Sequence, residues 1–281
     1  MTDVMTRVDA PADLRMVPYT YLKMFGRQPD VVTSAQGGLR LLADPSAALA
    51  VPVPWGAIVA ASTRDDGVLE IRSRNRPAEG VTLQPDQWPE SIRVPGWARP
   101  AVRAAFRLRA AGLGTGGATL VVHTGLPFDL AIPVGSAVAA ATTRAFTELY
   151  GIPGPAAVTA AGSSVFVEDR AADLAALSTC PGEAIVARAD TTVHRLPWNP
   201  AAAGLRLLVV EPGDPVTWPG PRGGDVDRAV RALRGGDLPR LGRLLTAAGA
   251  PPAFTAAVAA ANNAGALGAG PVGDPSRAAM G

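Results

Sequence analysis

Apolar residues recur along this chain at two spacings, helical and alternating, and the spacing switches often. Residues 14–25 (LRMVPYTYLKMF) read as a short helix, interrupted or started around Pro18 and closed by Gly26 and Pro29. Two apolar stretches follow, Gly38 to Leu42 and Leu49 to Val53, and then Trp55 to Ser62 (WGAIVAAS), whose Val and Ile suit a strand. Asp65-Asp66-Gly67 is a hairpin signal leading into Val68 to Ser73 (VLEIRS), which alternates apolar and polar as a half-buried strand does. From Trp97 to Ala111 the period lengthens, with Trp97, Ala101, Ala105 and Leu108 on one face and Arg99, Arg103, Arg107 and Arg109 around the rest, predicting an amphipathic helix.

The second half continues the alternation of types. Ala118 to His123 predicts a strand, and Ser136 to Tyr150 predicts a helix of small uncharged residues suited to close packing. Phe166 to Leu177 predicts another helix. Ala184 to Ala189 and Leu205 to Val210 read as strands separated by the turn-rich Pro197-Trp198-Asn199-Pro200. Helices are predicted at Asp225 to Arg234, at Leu238 to Ala248 with Asp237 as N-cap, and at Phe254 to Ala261. The tail from Gly265 to Gly281 has no periodicity. Interleaved strands and helices with an early hairpin make α+β the expected class, rather than a doubly wound parallel sheet.

Composition narrows the function. The 281 residues bury a substantial core. With 26 Lys plus Arg against 24 Asp plus Glu, there is no electrostatic case for nucleic acid. Lys23 is the sole lysine; with many Ala, Gly and Pro, the arginines reflect a GC-rich bacterial codon bias rather than phosphate binding. One cysteine, Cys180, excludes an intramolecular disulfide, and two histidines, His123 and His194, are too few for a His-based metal centre; no metal is expected. Charges at Asp3, Arg7, Asp9, Asp13 and Arg15 break any signal-peptide core, and the long uncharged stretch from Leu244 to Gly273 is interrupted by Gly249, Pro251, Pro252, Asn262 and Asn263. A cytoplasmic protein without a membrane span is expected. The 31 glycines and 27 prolines imply many loops.

Several segments, in order, resemble galactokinase of the GHMP small-molecule kinase superfamily. Phe25 to Leu42 (FGRQPDVVTSAQGGLRLL) is similar to the family opening, F-G-x-x-P followed by A-P-G-R-V-N-L-I-G-E-H. Gly96-Trp97-Ala98-Arg99 resembles G-W-A-R-Y, Arg144-Ala145-Phe146 to Tyr150-Gly151 the end of the phosphate-loop helix, and Gly182 to Asp190 (GEAIVARAD) the strand G-H-A-L-L-I-D. The resemblance covers roughly residues 20–270. It implies a two-lobed fold, with an N-terminal lobe at 1–180 and a C-terminal lobe at 181–281 whose segments can interleave, an active-site cleft between them, and a shortened C-terminus.

Carried over residue by residue, the family chemistry is degraded. Phosphoryl transfer needs a triphosphate cradle, a metal ion, positive charge at the transferring phosphate and often a base. The cradle, P-x-G-x-G-L-S-S-S-A in the family, corresponds to Pro127 through Ser136, where Asp129 and Ala131 replace the glycines and Pro133, Val134 and Gly135 the serine run. A carboxylate repels phosphate and proline removes a donor. Gly135 and Ser136 are then a phosphate-loop remnant or merely the start of a packed helix. In the first motif Gly38 falls at the catalytic arginine, Arg40 at the asparagine, Asp44 at the sugar-binding glutamate and Pro45 at the histidine. Arg40 and Asp44 are substrate-binding candidates, or a solvated strand end. Asp173 is the best match to the catalytic base, with Asp169 the alternative, against the reading of an exposed helix residue. His123 is an acid or base with Asp129, or a strand-end histidine satisfied by backbone. The third motif survives as Gly265-Ala266-Leu267-Gly268-Ala269.

The sequence therefore predicts a galactokinase-like pseudokinase, without cofactor, that binds or transforms a small polar metabolite, in bacterial specialised metabolism. The alternatives are a divergent kinase using ATP and Mg, with Ser136 holding phosphate and Asp173 as base, or a non-catalytic partner of a biosynthetic enzyme. In the last case the apolar helices at 136–150 or 254–261 would form a homo- or hetero-oligomer interface.

Overall fold

The computed structural model describes residues 12–87, 94–113, 116–125, 135–161, 167–177, 182–208, 225–249 and 252–270. The chain divides into two compact units, one drawn from Met1–Gly37, Pro54–Phe128 and Val134–Ser163, the other from Gly38–Val53, Asp129–Pro133 and Ser164–Gly281. Two long strands, β1 (Val31–Ala43) and β2 (Ala47–Arg64), give one half to each unit. The class is α+β, as the pattern predicts.

The first unit is a sheet in the order β4-β3-β5-β2, where β3 is Leu69–Ser73, β4 Gly80–Leu83 and β5 Gly117–Thr124. Helix α1 (Ala12–Phe25) runs through Pro18 and ends at Gly26, whose φ of 68° only glycine adopts at little cost. Its Val17 and Tyr21 pack on Ala60 of β2 and Val121 of β5. Helix α2 (Arg99–Ala110) packs on α3 (Gly135–Tyr150), and α4 (Gly154–Ala161) lies against both.

In the second unit Ala47 to Ala50 of β2 pair antiparallel with β6 (Glu183–Arg188), and β7 (Val193–Pro197) follows on the other side of β6. Helix α5 (Val167–Leu177) covers this sheet through a core built largely of alanine: Ala43, Ala48, Ala50, Ala171, Ala175 and Ala187, with Leu174 and Ile185. Side chains this short let helix and sheet backbones come close together. Helices α6 (Val226–Arg234), α7 (Leu238–Ala247) and α8 (Pro252–Asn263) complete the described residues, and the Asp237 carboxylate caps α7 by accepting from Arg240 N–H at 2.9 Å.

Three expectations are corrected. Asp65-Asp66-Gly67 forms a turn, but the strands it joins are not neighbours: β5 lies between them, antiparallel to β2 and parallel to β3. Gly117 permits the insertion, since a Cβ there would lie 2.6 Å from the backbone of Gly67 and Val68. The apolar stretch at Leu49 to Val53 and the predicted strand at Trp55 to Ser62 are parts of one strand, β2. Pro52 and Pro54 fall between the β6 register, which ends at Ala50, and the β5 register, which starts at Ala57, so their missing N–H groups cost these ladders nothing. Residues 205–208, predicted as strand, follow a 3-10 turn at Pro200–Ala203 and are not in a ladder. Finally β4, α4 and β7 are too short or too polar for the pattern to find.

Candidate functional site

Gly38 and Arg40 of the first motif sit on the second half of β1, beneath α5. Strand and helix backbones meet at Gly38: a Cβ built there would lie 2.0 Å from the carbonyl oxygen of Ala172 and 2.8 Å from its carbon. Only glycine fits. Arg40, two residues on, shares the strand face of Gly38 and is 9% exposed; Asp173, next to Ala172, is 3% exposed. The reading of Asp173 as an exposed helix residue, and of Arg40 as part of a solvated strand end, is thus overturned by the closeness of α5 to the strand.

Asp44 closes the β1–β2 turn. Its Oδ1 accepts from Ser46 N–H at 2.7 Å, Ser46 Oγ–H at 2.6 Å and Ala47 N–H at 2.9 Å, and its Oδ2 accepts from Val226 N–H at the start of α6 at 3.4 Å. Partial burial raises the carboxyl pKa, but these four hydrogen bonds outweigh it and hold the group below its ordinary value. A carboxylate has about four acceptor positions, so little of this one remains for a ligand. Arg188 of β6 joins the same corner, bonding Asp227 of α6 at 2.5 Å.

In the first unit His123 lies near the end of β5, 8% exposed. Its Nδ1 is 3.1 Å from Asn75 Oδ1 and its Nε2 is 3.2 Å from Arg74 Nη1. A carbonyl oxygen only accepts, so Nδ1 carries a proton, while Arg74 Nη1, also 3.4 Å from Nδ1, lies against the ring. Asn75 also binds the backbone of Thr124, accepting from its N–H at 3.0 Å and donating to its carbonyl at 3.1 Å. His123 is therefore bonded to the side chain of Asn75 and lies against that of Arg74. Nothing in the sequence pattern marked Asn75, which lies in the polar run after β3.

Gly135 opens α3 with the Pro100 ring of α2 against it, 3.2 Å from where a Cβ would stand, and Ser136 is buried at 6% exposure. Asp129 and the rest of 126–134 lie outside the described residues, as do Cys180 and the Ser163-Ser164 pair; the side chain of Asp169 is likewise outside them. The third-motif remnant packs on α7: Gly268 and Gly242 meet so closely that a Cβ at 268 would be 1.9 Å from the Gly242 carbonyl oxygen, and Ala269 N–H donates to Thr246 Oγ1 at 3.0 Å. Among the described residues no group of three His, Cys, Asp or Glu could hold a metal ion, and no helix is long and apolar enough to cross a membrane. Trp97 is buried and donates from Nε1 to Glu79 at 2.6 Å, and His194 is exposed.

No family model matches the chain. Lactococcus lactis galactokinase complexed with galactose superposes with a TM-score of 0.65 at 13% identity, over 91% of this chain and 86% of that one. Methanococcus jannaschii mevalonate kinase gives 0.53 at 9% identity over 87% of each chain, and a D-glycero-D-manno-heptose 1-phosphate kinase from Bacteroides thetaiotaomicron 0.50 at 15%, over 88% and 90%. The fold is that of the GHMP small-molecule kinases. Within that class the chain is galactokinase-like in sequence: it is 27% identical to Streptomyces coelicolor galactokinase over 210 residues, 68% of its own length and 52% of that protein. It thus spans about half the length of this curated relative.

Proposed function

We propose that this galactokinase-like chain has lost ATP-dependent sugar phosphorylation and serves to bind, or to transform without phosphoryl transfer, a small polar metabolite in bacterial specialised metabolism. The observation that carries the reading is the contact at Gly38. The resemblance puts the family's catalytic arginine there, and the carbonyl of Ala172 occupies the space that any side chain would need. The transferring phosphate would have no cation from this position, which supports the loss of phosphoryl transfer. The carboxylate of Asp44, at the position of the sugar-binding glutamate, is engaged by the turn and by α6, which supports the same reading.

The test is calorimetric titration with Mg-ATP, alone and with galactose, together with a coupled assay for ADP release. No heat at millimolar Mg-ATP and no ADP are expected, while a screen of polar metabolites by thermal shift finds a stabilising compound. Micromolar Mg-ATP binding that disappears in Ser136→Ala would overturn the reading in favour of a divergent kinase.

A further inference from the structure

We draw no further inference here: the strongest candidate, the exposed surface of the α6–α7 hairpin where the side chains of Arg231, Arg234, Arg240 and Arg243 stand without an ion pair among the described residues, carries nothing because nothing in the structure shows what covers it.

Discussion

The carboxylate of Asp44 ties the β1–β2 turn to the backbone N–H of Val226, the first residue of α6, across 182 residues of sequence. The resemblance places a ligand-binding group at this position; in this chain the same carboxylate serves a turn and a helix start.

Replacing Asp44 by Ala should cost about 1–3 kcal/mol, since several hydrogen bonds to a charged group are lost at a partly exposed site, and Asp44→Asn should cost less because one acceptor oxygen remains. The folded-state pKa lies below the ordinary 3.8, so the carboxylate contributes stability that is present above that value and is lost as pH falls through the lower, folded one. Urea unfolding from pH 7 to pH 2.5 checks this: the advantage of the parent over Asp44→Asn should shrink below pH 3.8. An advantage that grows on acidification contradicts the hydrogen-bond assignment.

Gly38→Ala should destabilise by about 2–3 kcal/mol, as overpacking against a rigid backbone does. At roughly 2–4 °C per kcal/mol this lowers Tm by about 4–12 °C. Gly38→Arg, which restores the family residue, should fail to fold or lose more and should not gain kinase activity. A Gly38→Arg protein with the parent's Tm and ADP release would sink both the contact and the proposed loss of function.

The Tyr21 hydroxyl is fully buried against β2 and β5 without a hydrogen-bond partner among the described residues. Burying such a group costs about 1–3 kcal/mol, so Tyr21→Phe should raise stability by about 1 kcal/mol, read from the urea midpoint at unchanged slope. A less stable variant means the hydroxyl is satisfied.

Asn75→Ala strands the Thr124 backbone N–H and the His123 Nδ1–H together, and it should cost about 2 kcal/mol. A double-mutant cycle with His123→Ala should show coupling of about 0.5–3 kcal/mol. Additive losses would contradict the hydrogen bond between Asn75 and His123.

Asp66, in the turn after β2, is pushed down to about 2 by the Arg64 guanidinium at 2.6 Å and the Val68 N–H. A carbon-detected NMR titration should find it there, and Arg64→Gln should move it back towards 3.8.

Periodicity and caps made most of the fold legible. The apolar spacing of α2 and the Asp237 cap of α7 are local, and local signals survive into the folded state. Strand order was not legible, because Asp65-Asp66-Gly67 specifies a turn and says nothing of a third strand arriving between the two it joins. The site divides in the same way. The resemblance located Gly38, Asp44 and Asp173 along the chain, but only the packing of α5 on an alanine core explains why Gly38 cannot carry a side chain and why Asp173 is buried. Asn75 was missed because its value depends on Thr124 and His123, which are distant in sequence.

The position of β5 between β2 and β3 sets an order of assembly for the first unit. While the chain is being made, the β2–β3 segment emerges as two strands without a ladder between them. They can be joined only after α2 and β5 have followed. The unit's sheet then closes in one non-local step, which slows folding relative to a local hairpin and leaves two strand edges exposed until Thr124 is in place.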